Sequence, residues 1–329
     1  MIIRFQNNLK DKQKREIKIS LSKLLKKAAI TIHGSYLIIE NENKEQLSGI
    51  LARVEAIEGI ELAKLSNEET YPLINKRKAS IIKFKNKIFN DKNFLLIAGP
   101  CAIDGRAAYL KTIKNLEKAG ADILRAPLFK PRMSPHSFQG IGTEGLKILI
   151  EARNTTSLPF ITEITDPRQM DLLYPSTDVF QIGARNMRNY ELLKAVGSEQ
   201  KAVLLKRAAG ASLKEWLLAA EYIMSCGNNK IILCERGDYS SGNSEGGINF
   251  NMALRAIAIS KFPLIIDISH STTAKNFILP LAKASAAIGA NGLMVEASLK
   301  PHLAPIDGKH TIDISYFKKL SAEIKKLRK

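Results

Sequence analysis

The sequence has little that would suit a secreted or membrane-spanning protein. Only three of its 329 residues are cysteine, and no two of them form a CxxC pair. A disulfide framework is therefore not expected, and the thiols should stay reduced. No apolar run approaches the roughly 20 residues that cross a bilayer. Because the amino-terminal segment also lacks the apolar core and cleavage site of a secretory signal, we expect a cytoplasmic protein with no membrane partner.

Acidic residues are scarce relative to basic ones, with 32 Asp and Glu against 50 Lys and Arg and a net charge of +18. Lysine makes up most of the excess and is dense at 9–28, 76–87 and 318–329. Such runs are usually solvated faces, and neither interleaved aromatic residues nor a known binding motif accompanies them. We therefore expect no nucleic acid partner. A nucleic-acid-binding protein with an inactive enzyme fold is the alternative from another functional class.

The sequence does contain eight short apolar runs between residues 94 and 296. Each is too short for a helix and rich in Ile, Leu, Val and Phe, as parallel strands buried on both faces are. Helical stretches separate the runs by the length of a crossover connection. This pattern predicts an α/β fold, a (β/α)8 TIM barrel, whose active site lies at the carboxyl ends of its strands. An open doubly wound sheet is the alternative, but no GxGxxG follows the first strand.

The first 67 residues have a different pattern. Strand, helix, two strands joined tightly at Gly34, helix and strand follow one another. This βαββαβ order predicts a small ferredoxin-like domain, which serves either regulation or only solubility and oligomerisation. We assign residues 1–67 to this domain, 68–92 to a basic linker and 93–329 to the catalytic barrel.

Four residues close to the ends of predicted barrel strands form a candidate metal-ligand set. Cys101 follows the first strand, His270 the seventh, and Glu296 and Asp307 the eighth. These strands are neighbours in a closed barrel, so the side chains should meet at its mouth. A thiolate, an imidazole and two carboxylates suit a divalent Mn, Fe, Co or Zn ion. Taken singly, Cys101 could instead be a packed apolar residue and His270 a helix cap.

Basic side chains lie at the ends of the second, fourth, fifth and sixth predicted strands or shortly after them. Arginine holds phosphate and carboxylate oxygens bidentately, while lysine is a compact charge that can also donate a proton. Such a cluster would repel itself without an anionic ligand, so it predicts a substrate with several negative charges or two phosphorylated substrates. The residues are Arg125, Lys130, Arg132, Arg185, Lys206, Arg207 and Arg236.

Several segments resemble the 3-deoxy-7-phosphoheptulonate (DAHP) synthase family, which carries out the first step of the shikimate pathway. They are AGPC (98–101), RAPLFKPRMSPHSFQG (125–140), QIGARN (181–186), LLKR (204–207), CERG (234–237), DISHS (267–271), MVEAS (294–298) and IDG (306–308). The amino-terminal extension resembles the type I beta branch of that family. The related 3-deoxy-8-phosphooctulonate (KDO8P) synthases show a KANRSS-like segment where this chain has KPRMS, which favours the DAHP branch.

The resemblance implies an aldol-like condensation of phosphoenolpyruvate with erythrose 4-phosphate that releases phosphate. It implies a divalent metal on Cys101, His270, Glu296 and Asp307, polarising the aldehyde. It also implies that phosphoenolpyruvate is held by Arg125, Lys130, Arg185, Lys206 and Arg236, and the aldose phosphate by Arg132 and Ser134. We expect Lys130 to donate the proton, its pKa lowered by nearby cations.

Further expectations rest on the resemblance alone. Glu163, Asp267 and Glu235 should orient cations or water, with Glu235 beside Arg236. The chain should form a homo-oligomer, a tetramer in this branch, with an aromatic amino acid as candidate effector of the amino-terminal domain. Surface or capping roles are expected for His136, His302 and His310.

The chain departs from the family pattern on the side of the sugar aldehyde. Met133 stands where relatives usually have Thr, and Asp307 lies in PIDG rather than SDG. The segment 238–251 reads DYSSGNSEGGINFN, where relatives usually have a Thr and aromatic pair and later an Arg. A thioether cannot donate a hydrogen bond to a phosphate. The alternative function is therefore a KDO8P synthase-like condensation of phosphoenolpyruvate with a different sugar aldehyde.

Overall fold

The computed structural model describes residues 1–41, 43–65, 70–77, 81–90, 93–132, 134–239, 246–272, 275–306 and 308–327. Met133, Asp307 and residues 240–245 of the segment 238–251 lie outside these ranges. The chain divides into two compact units, Met1–Arg77 and Lys78–Lys329. Within the described ranges, no helix is both long and apolar enough to cross a membrane.

The first unit contains a four-stranded antiparallel sheet in the order β2-β3-β1-β4. This order and the βαββαβ succession confirm the predicted ferredoxin-like fold. The strands are β1 (Ile2–Phe5), β2 (Ala29–His33), β3 (Tyr36–Glu40) and β4 (Ile60–Lys64), and the helices are Asp11–Leu24, Lys44–Glu55 and Pro72–Lys76.

Alternation along each strand decides which face of this sheet is buried. In β1, Ile3 and Phe5 are fully buried whereas Ile2 is half exposed, as a period of two residues requires. The helix Asp11–Leu24 covers the buried face with Ile17 and Leu21, which lie four residues apart and so on one side of the helix. The other face of the sheet carries the exposed side chains.

The second unit is a closed barrel, which confirms the predicted (β/α)8 fold. Among the described residues, eight parallel strands pair in the order β15-β12-β11-β10-β9-β8-β7-β16, and β15 pairs with β16 to complete the circle. The strands are β7 (Leu95–Gly99), β8 (Ile123–Arg125), β9 (Phe160–Ile164), β10 (Val179–Ile182), β11 (Ala202–Lys206), β12 (Ile231–Glu235), β15 (Leu264–Asp267) and β16 (Gly292–Ser298).

Helices and short strands complete the second unit. The helices are Arg106–Lys118, Gly145–Arg153, Met170–Leu173, Tyr190–Gly197, Leu213–Ser225, Phe250–Ser260, Lys275–Ala287 and Ile314–Leu327. The short strands are β5 (Ile82–Phe84), β6 (Lys87–Phe89), β13 (Asp238–Tyr239), β14 (Gly246–Gly247) and β17 (Ile312–Asp313).

Part of the segment predicted as a linker packs against the barrel interior. Strands β5 and β6 form an antiparallel hairpin whose Ile82 and Phe89 are buried in one cluster with the barrel residues Leu95, Val179 and Ala202. These three residues begin their strands, so the hairpin covers the amino-terminal end of the barrel. The opposite end, where the strands terminate, is left to hold polar side chains.

Candidate active site

A cavity of about 240 Å³ lies at the carboxyl ends of the barrel strands. Its lining includes five basic side chains against the single carboxylate of Glu163, counted over the described residues. The strands β9 to β11 and the loops that follow β8, β10, β12 and β15 supply most of the wall. The lining residues are Lys130, Arg132, Glu163, Gln181, Gly183, Ala184, Arg185, Lys206, Arg236, His270 and His310. The arrangement suits a ligand with several negative charges.

Lys130 and Glu163 form a buried ion pair on the cavity wall, with 3.0 Å between Nζ and Oε2. Burial alone would lower the pKa of Lys130, but Glu163 and Cys101 outweigh it and the pKa is raised. The lowering expected from neighbouring cations is therefore wrong, because carboxylate and thiolate groups dominate its surroundings. Burial would likewise raise the pKa of Glu163, but Lys130 and Lys206 hold it below its usual value. The ammonium group remains charged and able to donate a proton.

Asp267 connects Lys206 to His270. Its buried carboxylate accepts a hydrogen bond from Lys206 Nζ and lies 2.8 Å from His270 Nδ1. Burial would raise the pKa of Asp267, yet His270 and Lys206 hold it well below the usual range. Because a carboxylate accepts, His270 carries its hydrogen on Nδ1 and keeps Nε2 as the lone-pair atom. This is the orientation that a carboxylate gives to a metal-binding histidine.

Glu296 is fully buried beside Arg125 and His270. Its Oε1 accepts from Arg125 Nη1 at 3.0 Å and lies 3.4 Å from His270 Nε2, whereas no described residue contacts its buried Oε2 by a hydrogen bond. Burial would raise the pKa of Glu296, but His270 and Arg125 lower it to about 2. Burial also lowers the pKa of His270, which favours the neutral imidazole that metal binding requires. An ionised carboxylate oxygen without a hydrogen-bond partner among the described residues, beside an imidazole nitrogen, fits a cation.

Cys101 is buried near this pair without lying on the wall of the 240 Å³ cavity. It is close enough to raise the pKa values of Arg125 and Lys130, and it lines a second, largely apolar cavity of about 470 Å³. In the described part of the chain, no three His, Cys, Asp or Glu side chains gather tightly enough to hold a metal. Asp307, the fourth predicted ligand, is outside that part.

The remaining predicted substrate-binding residues differ in their surroundings. Arg132, Arg185, Lys206 and Arg236 line the cavity with Lys130. Arg125 is buried behind it, and its Nε and Nη2 have no hydrogen-bond partner among the described residues. Ser134 is exposed, and its hydroxyl accepts the backbone N–H of His136. It is absent from the described lining of the cavity.

Arg207 does not belong to the substrate cluster. Its fully buried guanidinium donates to both carboxylate oxygens of Glu235, to Asp238 and to the carbonyl oxygen of Ala211. Glu235 also accepts the backbone N–H of Gly237. Glu235 thus orients a cation, as expected of it, but the cation is Arg207 and not the adjacent Arg236. This cluster fixes the loop that follows β12.

Sequence reasoning missed three parts of the cavity wall. Gln181 belongs to β10, and a side chain on Gly183 would collide with Glu163 Oε1, so the glycine lets the carboxylate reach Lys130. Both residues lie in the QIGAR segment, where only Arg185 had been singled out. His310, for which a surface or capping role was expected, instead lines the cavity, with Nδ1 3.2 Å from the carbonyl oxygen of Thr272. Its position after the predicted ligand Asp307 was the available signal.

The chain is similar to known proteins. The DAHP synthetase I family matches residues 70–329. The chain is 35% identical to a phospho-2-dehydro-3-deoxyheptonate aldolase of Thermotoga maritima over 94% of this chain and 90% of that protein. A crystal structure of the Thermotoga maritima aldolase, also called DAHP synthase, superimposes with a TM-score of 0.85 and 31% identity, covering 99% of this chain and 96% of that one. A 2-dehydro-3-deoxyphosphooctonate aldolase of Dichelobacter nodosus is 30% identical over 72% of this chain and 92% of its own length.

Proposed function

The chain belongs to the DAHP synthetase I family, and from this premise we infer that it is a 3-deoxy-7-phosphoheptulonate synthase. It condenses phosphoenolpyruvate with erythrose 4-phosphate to 3-deoxy-D-arabino-heptulosonate 7-phosphate and phosphate, the first step of the shikimate pathway. The match to a heptonate aldolase covers more of the chain, at higher identity, than the match to an octonate aldolase. That difference favours erythrose 4-phosphate over a longer sugar.

One observation carries this proposal. The cavity at the barrel mouth has five basic side chains in its described lining, and it lies beside the buried pair of His270 and Glu296. Phosphoenolpyruvate carries a carboxylate and a phosphate, and erythrose 4-phosphate brings a second phosphate. These anionic groups neutralise the cations, which would otherwise repel one another in a small cavity.

We propose that a divalent metal, one of Mn, Fe, Co or Zn, binds at His270 and Glu296 with Cys101 and Asp307 as the further ligands. The support is the ionised Glu296, whose Oε2 has no hydrogen-bond partner among the described residues, and His270, whose Nδ1 faces Asp267. The buried Cys101 contributes negative charge next to the pair when it is deprotonated. When bound there, the ion would polarise the aldehyde of the acceptor as a Lewis acid.

The basic residues would position phosphoenolpyruvate. Arg185, Lys206 and Arg236 line the cavity and would hold its phosphate and carboxylate. Arg125 would add Nε and Nη2, which have no hydrogen-bond partner in the part of the chain that the structure describes. Carbon 3 of phosphoenolpyruvate then forms a bond to the aldehyde carbon, water adds at carbon 2, and phosphate leaves. Lys130, held charged by Glu163, would give its proton to the alkoxide oxygen that the aldehyde becomes when this bond forms. Arg132, which lines the same cavity, would hold the aldose phosphate.

Phosphate release in the presence of an aldose panel tests the proposal. The purified chain would be incubated with phosphoenolpyruvate, Mn²⁺ and either erythrose 4-phosphate, arabinose 5-phosphate or an unphosphorylated tetrose. We expect the highest kcat/KM with erythrose 4-phosphate and loss of activity on chelation. Preference for arabinose 5-phosphate would instead establish the octulosonate reaction. Binding of duplex DNA without phosphate release under any condition would refute the enzymatic function altogether.

A further inference from the structure

The cavity wall is rich in hydrogen-bond donors, and its described side-chain acceptors are those of Glu163, Gln181, His270 and His310. Lysine and arginine only donate, and the described lining includes five of them. The carboxylate of Glu163 already accepts from Lys130. Phosphate and carboxylate groups of the substrates match such donors, but the hydroxyl groups of a sugar also need acceptors for their hydrogens. A free acceptor on this wall is therefore a candidate for recognising the sugar.

His310 supplies such an acceptor. Its Nδ1 lies 3.2 Å from the carbonyl oxygen of Thr272, and a carbonyl oxygen can only accept, so the hydrogen is on Nδ1. The neutral imidazole then carries its lone pair on Nε2. Within the described ranges, no other hydrogen bond or ion pair involves this ring. His270, the other imidazole of the wall, has both nitrogens close to the carboxylates of Asp267 and Glu296.

The fold sets His310 on the side of the barrel where the aldehyde would bind. The residue precedes β17, whose Ile312 pairs with Ala297 of β16, the strand that carries Glu296. Its hydrogen-bond partner Thr272 follows β15. Arg185 follows β10, which lies four strands from β16 around the barrel. A sugar with its aldehyde oxygen near His270 and Glu296 therefore has its hydroxyl groups within the part of the cavity that His310 lines.

Building on the proposed function, we propose that His310 is a specificity-determining residue that accepts a hydrogen bond from a hydroxyl group of the acceptor aldose. Nε2 accepts a hydrogen bond from the hydroxyl group at carbon 2 or carbon 3, while the cations hold the phosphate groups. The site thereby distinguishes a hydroxylated aldehyde from a deoxygenated one. Phosphoenolpyruvate has no hydroxyl group, and its binding does not depend on this residue.

The test compares H310L with the wild type on erythrose 4-phosphate and on its 2-deoxy and 3-deoxy analogues. We expect H310L to lower kcat/KM for erythrose 4-phosphate about tenfold, as loss of one hydrogen bond would, with KM for phosphoenolpyruvate within about twofold. One analogue should be about tenfold poorer than erythrose 4-phosphate for the wild type, yet equal to it for H310L. H310Q, which keeps an acceptor oxygen, should retain most of the activity. The exposed His302 of the turn Pro301–Leu303 gives a matched control, H302L, expected to behave as the wild type.

Each outcome discriminates. If H310L matches the wild type, or if each analogue costs the same in both enzymes, His310 does not recognise the sugar. A wild type that uses both deoxy analogues as well as erythrose 4-phosphate overturns the inference without any variant, should H310L fail to fold. A wild type that releases no phosphate with erythrose 4-phosphate refutes the proposed function instead, and that result is independent of position 310.

Discussion

Arg125 and Arg207 are both buried where a barrel strand ends, yet their hydrogen bonds differ. Arg207 donates to Glu235, Asp238 and a main-chain carbonyl group. Arg125 donates from Nη1 to Glu296, while its Nε and Nη2 have no hydrogen-bond partner in the described part of the chain. A buried polar group without a partner costs free energy. Arg207 thus stabilises the loop after β12, whereas Arg125 and Glu296 keep capacity for a ligand.

The largest effect should come from the cavity residues and not from the cluster around Arg207. K130M removes the proposed proton donor and should lower kcat about 10³-fold, since general acid catalysis contributes roughly 10²–10⁴-fold. Stability should change little, because Lys206 and Arg125 also face the Glu163 carboxylate. Phosphate release and urea denaturation measure the two quantities. A kcat within tenfold of the wild type would remove Lys130 from the chemistry.

The next largest effect should be the loss of stability when the ion-pair cluster of Arg207, Glu235 and Asp238 is broken. R207M leaves the fully buried Glu235 without its cation, which should lower the free energy of unfolding by about 3–5 kcal/mol. R125M should lose less stability, because Lys130 and His270 still face Glu296, but should lose activity. Urea unfolding of both variants decides the matter. Equal losses of stability would show that the two arginines do not differ in the way described.

A smaller effect is expected from metal binding on the ligand side. A divalent ion at 100 times its dissociation constant should stabilise the wild type by about 2.7 kcal/mol. E296Q, which removes the charge next to His270, should lose most of this gain, whereas H302L should keep it. Thermal unfolding with and without Mn²⁺ gives the comparison. The same upward shift for E296Q and the wild type would place the ion elsewhere.

The smallest effect should come from the residue that orients His270. D267N replaces the carboxylate that holds Nδ1 and should weaken metal affinity about tenfold. Activity should return at high Mn²⁺, because the ligands themselves remain. Titration of activity against free Mn²⁺ measures the change. An unchanged midpoint, or a loss that excess metal does not reverse, would argue that Asp267 acts only through Lys206.

The fold could be predicted because the hydrophobic patterns of helices and of strands are both local in the sequence. Short apolar runs with crossover spacing indicate parallel strands, and eight of them close a barrel, so the residues at their ends were expected at one mouth. Arg132, Arg185, Lys206 and Arg236 do line one cavity with Lys130. The domain boundaries at 67 and 92, the roles of the individual residues, the tetramer and the aromatic effector stay predictions.

Other features depend on strand register, which the sequence does not reveal. Lys206 pairs with Cys234 across β11 and β12, so the residues that follow them along the chain, Arg207 and Glu235, face one another. From the sequence, Arg207 could not be distinguished from an arginine that faces the cavity. His310 was missed for another reason, since it lies in a loop whose course depends on the pairing of β16 with β17.

The closure of the barrel between β7 and β16 determines when the site can exist. Glu296 pairs in register with Gly99, at the two ends of the barrel sequence, and its ion pair with Arg125 reaches beyond that seam to β8. A nascent or partly refolded chain with this seam open lacks the proposed metal site, however much of its helical structure has formed. Recovery of enzymatic activity during refolding should therefore lag behind recovery of helical circular dichroism and report the last ring-closing event.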